Sequence, residues 1–377
     1  MVSEKIDTLI CTVGTSFLTN LYRGPQSLLK EFANKRDVSG TVKELLLKTN
    51  AYLCCAEFNS IASIVNHQYL RDHHRCVFLV SDSDEGRFIG AVLKAYISST
   101  KSPLHFTESE FMVIEGLCDT DINLFRNKGL KNLVKLISKE ARTAGADNLL
   151  INATGGYKAQ ISFAGMIGQA LGIAVAYMHE KFSDIIILPP QPVNLDMNFW
   201  LQYGEDFFNL NQWTSVPMEE YIDRDPRFGQ LIETEIIDGT ICTTLNVTGL
   251  LFHETFSGIL SRKKEELLPP PYELTPEEKK RTFEDDNHGK HKGLSNYLDK
   301  VCKKPFVKSV TTTYYNRDLN GKNSFRISAK CRPDQIEGVF SNDGATTRFF
   351  ITTTSQSELQ RKVCLNILML QLENRCY

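Results

Sequence analysis

An apolar strand runs directly into two glycines and a lysine in the stretch Leu149-Leu150-Ile151-Asn152-Ala153-Thr154-Gly155-Gly156-Tyr157-Lys158. A helix of mostly small residues over 159–172 follows it. Glycines let backbone N–H groups approach a phosphate, a helix N-terminus adds partial positive charge, and a lysine adds a full charge. The stretch therefore predicts an anion site at the carboxyl end of a strand.

A second glycine-containing turn follows the first predicted strand, in Thr12-Val13-Gly14-Thr15-Ser16. Around the two turns, short apolar runs alternate with amphipathic segments, which predicts an α/β fold with a mainly parallel sheet covered on both faces. The predicted strands are 7–13, 76–82, 108–115, 147–153, 173–178 and 184–188, and the predicted helices are 41–49, 57–72, 85–98, 120–143 and 157–171. Ligands bind such sheets at the carboxyl ends of strands, near the reversal of strand order. Two phosphate-type loops there indicate a nucleotide ligand.

The composition is that of an ordinary soluble globular protein, with 42% hydrophobic and 23% charged residues in a chain of 377. No apolar run is long enough to span a bilayer, and Met1-Val2-Ser3-Glu4 does not resemble a signal peptide, so we expect a cytoplasmic protein without membrane contact. The ten cysteines lack metal-ligand spacing. This predicts reduced thiols, no metal site and no cofactor.

Charge is distributed unevenly along the chain. Residues 286–377 hold 15 Lys or Arg and 8 Asp or Glu, a net charge of +7, whereas residues 1–285 hold 28 and 37, a net charge of −9. Such asymmetry indicates a basic end that meets a polyanion. Aromatic residues interleaved with the basic ones favour nucleic acid over a merely solvated basic face.

Three regions follow the α/β region 1–197, which ends near Pro189-Pro190. Residues 198–262 predict a winged-helix-like connector, with helical pieces at 218–222 and 228–233, an Asp-Gly hairpin at 236–242 and a closing helix at 248–260. Residues 263–290 are charged and proline-punctuated, which predicts a linker. Residues 291–377 predict a small α+β domain around an antiparallel sheet, with helices 294–303 and 358–373 and strands 307–315, 324–329, 335–340 and 346–354.

Four segments of the first region together resemble the CARF domain of CRISPR-associated proteins. Two are the glycine turns, the third is Ala56-Glu57-Phe58-Asn59-Ser60-Ile61, and the fourth is Val80-Ser81-Asp82-Ser83-Asp84-Glu85-Gly86-Arg87. The resemblance implies a Rossmann-like homodimer that binds a cyclic oligoadenylate, commonly cyclic tetra-adenylate, across its two-fold axis. A ring of repeated nucleotides is itself symmetric, so identical loops of two chains can bind its two halves.

The resemblance implies ligand contacts from both turns and from the other two segments. Polar side chains would donate to phosphate or ribose, glycines would allow close approach, Lys158 would neutralise charge and Tyr157 would pack near an adenine. The implied set is Gly14, Thr15, Ser16, Glu57, Asn59, Ser83, Arg87, Asn152, Thr154, Gly155, Gly156, Tyr157 and Lys158. A dinucleotide site is the less favoured alternative, because the first turn lacks the G-x-G-x-x-G pattern.

Some relatives cleave their ring ligand without a metal, through attack of a ribose 2′-OH on the neighbouring phosphate. The protein then supplies alignment and stabilises the developing charge. Ser16 and Lys158 are the candidates for that role in this sequence. Binding without cleavage is an equal alternative.

Two effector types are disfavoured by the C-terminal sequence. Arg281 and His288 have the spacing of a HEPN ribonuclease motif, but the region beyond them is β-rich, so we interpret the pair as a chance match. A metal-dependent nuclease of the PD-(D/E)xK type needs clustered carboxylates that hold Mg²⁺. The carboxylates here include no E-x-K on a predicted strand; they are Asp318, Asp334, Glu337 and Asp343.

The stretch Asn316-Arg317-Asp318-Leu319-Asn320-Gly321-Lys322-Asn323-Ser324-Phe325-Arg326-Ile327-Ser328 resembles the loop and central strand of RelE-type toxins. Those toxins are ribosome-dependent endoribonucleases that cut mRNA with basic and tyrosine side chains instead of metal. By residue type and place, the candidate catalytic residues are Arg326, Lys330, Arg332, Tyr314 and Arg317, with Tyr315 beside them, and Lys322 and Arg348 would bind RNA phosphates. The sequence departs from the family at 335–339, where a second arginine is usual, and at 352–357, where further basic residues are usual.

Together these features predict a sensor and an effector in one chain of a type III CRISPR antiviral system. A CARF homodimer, 1–197, would bind the ring, and a RelE-like domain, 291–377, would cut mRNA on the ribosome under allosteric control. Two alternatives remain. One is a ligand-controlled DNA-binding regulator made of CARF and winged-helix parts, and the other is a dedicated ring nuclease whose C-terminal half only oligomerises.

Overall fold

The computed structural model describes residues 6–24, 26–48, 54–179, 184–191, 195–283, 291–342 and 344–373. The chain forms two compact units, the first made of 1–195 with 246–255 and the second of 196–245 with 256–377. Among the helices in the described ranges, none combines the length and the apolar character that crossing a membrane requires.

The first unit is built on a six-stranded sheet. Its strands are β1 (Thr8–Thr12), β2 (Arg75–Ser81), β3 (Glu108–Ile114), β4 (Leu149–Asn152), β5 (Ala174–Tyr177) and β6 (Ile186–Leu188). The strand order is β3-β2-β1-β4-β5-β6, and all neighbours pair in parallel except β5 and β6. The predicted mainly parallel sheet is therefore confirmed. Both central strands are buried throughout, as expected for strands with helices on each side.

Helices connect these strands. They are α1 (Ser16–Arg23), α2 (Leu28–Asn34), α3 (Val38–Leu46), α4 (Ala56–Asn66), α5 (Asp84–Ser98), α6 (Ile122–Leu124), α7 (Leu130–Ala144) and α8 (Lys158–Leu171). Helix α7 shows why they form, because it buries Leu133, Val134 and Ile137 on one side and leaves polar residues on the other.

Two helix predictions for this unit need correction, and two further helices were not predicted. Helices α1 and α2 were not predicted, since each is short and buries only two residues. The helix predicted over 57–72 ends at Asn66, just before Gln68 takes a positive φ of 54°. The single helix predicted over 120–143 is interrupted by a π-helical turn at Phe125–Gly129. There the backbone of Gly129 packs on a neighbouring loop, and a Cβ on Gly129 would lie 2.7 Å from the Gly116 carbonyl oxygen.

The second unit begins with three helices and a hairpin. They are α9 (Met197–Gln202), α10 (Gly204–Gln212), α11 (Met218–Arg224), β7 (Ile232–Ile237) and β8 (Thr240–Leu245). The predicted Asp-Gly turn is confirmed, with positive φ at both Asp238 (50°) and Gly239 (77°). The helical piece predicted over 228–233 is wrong beyond a 3₁₀ turn at Pro226–Gln230, because Ile232 already pairs with Leu245 in the hairpin.

Helix α12 (Val247–Leu267) is longer than predicted, and the division between the two units falls within it. Its last residues belong to the stretch that the sequence assigns to a linker, 263–290. Four more residues of that stretch form a strand, β9 (Lys280–Phe283), which pairs in parallel with the strand at 307–316. The linker interpretation is therefore wrong for these residues, because backbone pairing holds them in a sheet despite their charged, proline-punctuated sequence. Residues 284–290 lie outside the described ranges.

The second sheet has five strands, β9 with β10 (Val307–Asn316), β11 (Ser324–Arg326), β12 (Gln335–Asn342) and β13 (Ala345–Thr353). The order is β11-β12-β13-β10-β9, with antiparallel pairing except between β9 and β10. Helix α13 (Leu294–Cys302) covers one face, where Tyr297 packs on Phe325 and Phe349. Helix α14 (Glu358–Glu373) contacts β11 and β12. The predicted helix and antiparallel strands of this region are confirmed, although the strand predicted over 324–329 ends at Arg326.

Candidate functional site

The two glycine turns lie side by side at the carboxyl ends of β1 and β4. These strands are neighbours, with Cys11 opposite Asn152. A Cβ on Gly14 would lie 2.8 Å from the backbone nitrogen of Gly156, so the turns touch through bare backbone. The chain proceeds from β1 outwards to β2 and β3, and from β4 outwards to β5 and β6. The turns therefore occupy the point at which the strand order reverses, where sheets of this kind hold ligands.

The carboxylate of Glu57, in the first turn of α4, is fully buried beneath these turns. The Gly14 N–H donates to Glu57 Oε1 at 2.8 Å, and the Ser16 hydroxyl donates to Glu57 Oε2 at 3.1 Å. Ser16 Oγ in turn accepts from the Ala56 N–H at 3.2 Å. Burial raises the pKa of Glu57, although these hydrogen bonds oppose the shift. Glu57 therefore shapes the first turn from below and is not exposed to a ligand.

The second turn packs on the same carboxylate. A Cβ on Gly155 would lie 2.1 Å from Glu57 Oε1 and 3.0 Å from the Thr12 carbonyl oxygen, so only glycine fits there. Gly156 has a φ of 112°, a conformation that favours glycine for a second reason. Both glycines predicted for close approach are thus required by the protein's own packing.

Two predicted ligand donors are engaged within the protein. Asn152 is buried and donates to Ser60 Oγ at 2.8 Å, while its side-chain oxygen accepts from the Thr154 hydroxyl at 2.7 Å. Thr154 Oγ1 also accepts from the Met178 N–H at 3.1 Å. This chain of hydrogen bonds ties the end of β4 to α4 and to the end of β5. It fixes the turn, and neither side chain offers its proton to the surface.

The surface of the site is formed by Thr15, Tyr157 and Lys158. Thr15 and Lys158 are exposed, and Lys158 opens helix α8. Tyr157 is half-buried, with its ring edge-on to Phe125 at a centroid distance of 5.4 Å. Burial raises the pKa of Tyr157, and the nearby Asp119 adds to the shift. The rim therefore combines a cation, a hydroxyl, a ring and the N-terminus of a 14-residue helix.

The remaining predicted ligand residues belong to neighbouring segments. Ser83 caps helix α5 by accepting from the Gly86 N–H at 3.0 Å. Arg87 is exposed and forms an ion pair with Asp82 at 2.6 Å. Asn59 is half-buried on α4, two residues after Glu57. Ser83 and Arg87 thus have roles within their own loop.

A second cluster lies on one face of the five-stranded sheet. Arg348 is directly opposite Tyr314 on one side and Val339 on the other, and Arg326 is opposite Glu337. Because paired residues and alternate residues of a strand share a face, the side chains of these residues lie together. The Arg348 guanidinium lies over the Tyr314 ring at 5.4 Å. The structure therefore brings three predicted RNA-contacting residues onto one face, opposite the face that α13 covers.

Arg326 on this face is paired with a carboxylate. Its Nε donates to Glu337 Oε2 at 2.8 Å, and the side chains are 38% and 5% exposed. The hydrogen bond that Arg326 donates to Glu337 raises the pKa of Arg326. Burial alone would raise the pKa of Glu337, but hydrogen bonds from Arg326 and Ser328 outweigh it and lower that pKa. From the sequence, Glu337 was considered only among the carboxylates of a disfavoured metal nuclease and within the departure at 335–339, although the two-residue period of β12 places it on this face.

The other predicted basic residues lie in exposed loops. Arg317 and Lys322 belong to the β10–β11 loop, and Lys330 and Arg332 to the β11–β12 loop. Arg317 lies 3.8 Å from Asp318, and Arg332 lies 3.9 Å from Asp334. Both loops flank β11, so these residues surround Arg326 along the chain without sharing its strand face.

Arg281, the arginine of the HEPN-like spacing, lies on an edge strand of the second sheet. Arg281 lies on β9, where it forms an ion pair with Asp299 at 3.0 Å and donates to the Lys279 carbonyl at 3.0 Å. His288 lies outside the described residues. Arg281 thus has a role in holding the sheet edge to α13.

Comparison with known proteins gives one family match. Residues 52–191 match the model of a family described as CRISPR-associated protein (Cas_APE2256). The matched segment is less than half of the chain and includes Glu57 and the second glycine turn. No curated protein matches the chain.

Two solved structures are similar at low identity. One is Can2 from Sulfobacillus thermosulfidooxidans in complex with cyclic tetra-adenylate, at 11% identity over 72% of this chain and 69% of that one, with a TM-score of 0.23. The other is protein VC1899 from Vibrio cholerae, at 8% identity over 92% of this chain and 77% of that one, with a TM-score of 0.26. TM-scores this low do not establish a shared fold.

Proposed function

We propose that the chain senses a cyclic oligoadenylate in type III CRISPR defence and answers by cleaving RNA. The proposed sensing function rests on one observation. The two glycine turns are in contact at the point where the strand order reverses. The second turn lies within the segment that matches a CRISPR-associated family, and the first turn lies beside it. Phosphates of the ring would bind at the N-terminus of α8 and at Lys158, with Thr15 and Tyr157 at the rim. Cyclic tetra-adenylate is the first ligand to test.

The pocket is proposed to be shared by two chains. A cyclic tetra-adenylate has rotational symmetry, so a homodimer can present the same pair of turns to each half of the ring. Glu57 and Asn152 would act from below as fixed supports. Because the turns are already held by these hydrogen bonds, little ordering would oppose ligand binding.

The second sheet is proposed to carry the RNA-cleaving site of a RelE-like, ribosome-dependent nuclease. What supports this is the common face of Arg326, Arg348 and Tyr314 together with the flanking basic loops. In the proposed reaction the ribose 2′-OH gives up its proton to a basic side chain or water and attacks the adjacent phosphorus, the O2′–P bond forms and the P–O5′ bond breaks, which leaves a 2′,3′-cyclic phosphate and a 5′-OH. Basic side chains would stabilise the charge of the phosphorane, and the leaving O5′ would take up a proton.

The test uses the full chain with translating ribosomes, in the presence and absence of cyclic tetra-adenylate. Cleavage of mRNA is expected only with the ring, is expected to survive EDTA, and is expected to fall at least about 100-fold in Arg326→Ala. Lys300→Ala is the matched control, since it removes an exposed cation from α13 on the other face of the sheet. Duplex DNA binding with no RNA cleavage in any condition would instead establish a regulator. Loss of the ring without added RNA would establish a ring nuclease.

A further inference from the structure

Two alternate residues near the end of β10, Tyr314 and Asn316, share one face of the second sheet. Tyr314 is paired with Arg348 of β13, and Asn316 is paired with Thr346, two residues earlier on the same strand. Tyr314 is 40% exposed, and the Arg348 guanidinium lies 5.4 Å from the centroid of its ring. The phenol is therefore accessible to a ligand and lies close to a cation.

The side-chain amide of Asn316 makes a hydrogen bond at each end. Its Oδ1 accepts from the Asp318 N–H at 2.8 Å, and its Nδ2 donates to the Tyr314 hydroxyl oxygen at 3.2 Å. Because a backbone N–H can only donate, the amide oxygen must be the end that faces Asp318. The amide NH₂ group then faces Tyr314, and the phenol oxygen is the acceptor.

The direction of this hydrogen bond determines which role is left to the Tyr314 hydroxyl proton. The phenol oxygen accepts from Asn316, and the guanidinium of Arg348 has donors only. Within the described ranges, the hydrogen bond from Asn316 is the one hydrogen bond of this hydroxyl. The proton of Tyr314 is therefore available to an acceptor on a bound substrate.

The loop that follows β10 is held against the same face of the sheet. The Thr346 hydroxyl donates to the Leu319 carbonyl oxygen at 2.7 Å, and the Gly321 N–H donates to Ser341 Oγ at 2.9 Å. Ser341 and Thr346 lie opposite each other on β12 and β13. Because these bonds fix the start of the loop, the amide of Asn316 has a fixed backbone partner.

We propose that Asn316 is the positioning residue that makes Tyr314 the general acid of RNA cleavage, an assignment that rests on the proposed nuclease function. Once the 2′-OH has lost its proton to water or a basic side chain, the O2′–P bond forms and the P–O5′ bond breaks. The Tyr314 hydroxyl then gives its proton to the leaving O5′. The phenolate is stabilised by the Arg348 guanidinium and the Asn316 N–H until it takes a proton from water.

Asn316→Asp reverses the hydrogen bond with little change in side-chain shape. A carboxylate still accepts from the Asp318 N–H, but it also accepts the Tyr314 proton instead of donating to the phenol oxygen. The full chain is assayed for mRNA cleavage on translating ribosomes with cyclic tetra-adenylate. We expect kcat to fall roughly 100-fold in this variant and in Tyr314→Phe, with a smaller change in KM.

Asn320→Asp is the matched control for the added charge. It makes the same substitution at an exposed position of the same loop, so it should keep the wild-type kcat. Thermal unfolding of each variant checks that it folds.

An mRNA with sulfur in place of the bridging O5′ separates a general acid from a residue that only maintains the structure. A thiol is a far stronger acid than an alcohol, so a thiolate leaves without taking up a proton. Tyr314→Phe and Asn316→Asp should therefore cleave the sulfur substrate at close to the wild-type rate.

Two results would overturn the assignment while the nuclease function stands. One is a wild-type kcat in Asn316→Asp, and the other is an equal loss of rate by the two variants on the oxygen and sulfur substrates. Failure of the wild type to cleave mRNA in any condition would instead reject the nuclease function, and the assignment with it. The two failures are therefore distinguishable.

Discussion

Glu57 of the first unit and Glu337 of the second are both buried, and they show how differently a protein can accommodate a carboxylate. Glu57 is satisfied by a backbone N–H and a serine hydroxyl, and burial raises its pKa. Glu337 is satisfied by the Arg326 guanidinium, and its pKa is lowered. Glu57 holds the first glycine turn in place by accepting hydrogen bonds from the Gly14 N–H and the Ser16 hydroxyl. Glu337 neutralises a cation that would otherwise face solvent.

The difference indicates two kinds of site. The glycine turns are a preformed cradle in which charge is supplied by backbone dipoles and one exposed lysine. The sheet face carries cationic side chains, one of which, Arg326, is paired with the buried carboxylate of Glu337. The proposed ring-binding site would use the backbone dipoles and the lysine, and the proposed RNA-cleaving site would use the cationic side chains.

The largest effect is expected from Gly155→Ala. The added Cβ would lie 2.1 Å from Glu57 Oε1, so it would displace the carboxylate from the Gly14 N–H and force the two turns apart. We expect the free energy of unfolding of the first unit to fall by about 4 kcal/mol. Hydrogen exchange of the β1 and β4 amides would measure this. Gly165→Ala is the control, since a Cβ there meets nothing within 4 Å and should stabilise α8. Equal protection in both variants would contradict the account.

Glu57→Ala tests the cradle from below. It leaves the Gly14 N–H and the Ser16 hydroxyl without their acceptor, which should lower the free energy of unfolding by about 3 kcal/mol. Glu57→Gln keeps an acceptor oxygen and should cost about 1 kcal/mol, with less cost at higher pH, because the raised pKa makes the charged native form unfavourable. Urea unfolding followed by circular dichroism measures both variants. Equal losses of unfolding free energy in Glu57→Gln and Glu57→Ala would contradict this prediction.

Glu205→Gln should alter the pH dependence of stability in the second unit. Since the folded pKa of about 7 lies above the ordinary value of 4.5, the native state binds more protons and loses stability as pH rises between these values. The wild type should lose about 3 kcal/mol relative to the variant across this window. Both tryptophans, Trp200 and Trp213, belong to the second unit, so their fluorescence during urea unfolding reports on it. A wild-type-to-variant difference that does not change with pH would refute this.

The smallest effect is expected from the Arg326–Glu337 pair. A double-mutant cycle with Arg326→Ala and Glu337→Gln should give a coupling free energy of about 1 kcal/mol at neutral pH, because Arg326 is partly exposed and solvent screens the pair. The lowered pKa of Glu337 means that this stabilisation is present above its ordinary pKa and is lost as pH falls through the lowered value. Tryptophan fluorescence again provides the measurement. A coupling free energy that increased as the pH was lowered would contradict the ion pair between Arg326 and Glu337.

The sequence predicted the elements whose signals are local and strong. The apolar strands around both glycine turns were found because strand, glycine and helix follow one another within a few residues, and the parallel arrangement then places the turns at one edge. Helices α1 and α2 were missed because they are short, and β9 was missed because only its pairing with β10 shows that it is a strand.

The site was less predictable than the fold because side-chain partners come from distant parts of the chain. Glu57 was predicted to contact a ligand, yet it is buried against Gly14 and Gly155, and nothing in its local sequence shows this. Glu205 was not predicted at all, since the burial that raises its pKa exists only after α10 packs on α14. The assignment of residues to ligand and RNA therefore stays a prediction.

The central claim is that the paired glycine turns receive a cyclic oligoadenylate, and calorimetric titration of cyclic tetra-adenylate into the full chain tests it most directly. The account predicts saturation at one ring per two chains and a loss of affinity of at least about tenfold in Lys158→Ala. Lys101→Ala, which removes an exposed lysine elsewhere in the first unit, should bind like the wild type. Absence of binding by the wild type, or equal binding by the Lys158 and Lys101 variants, would contradict the claim.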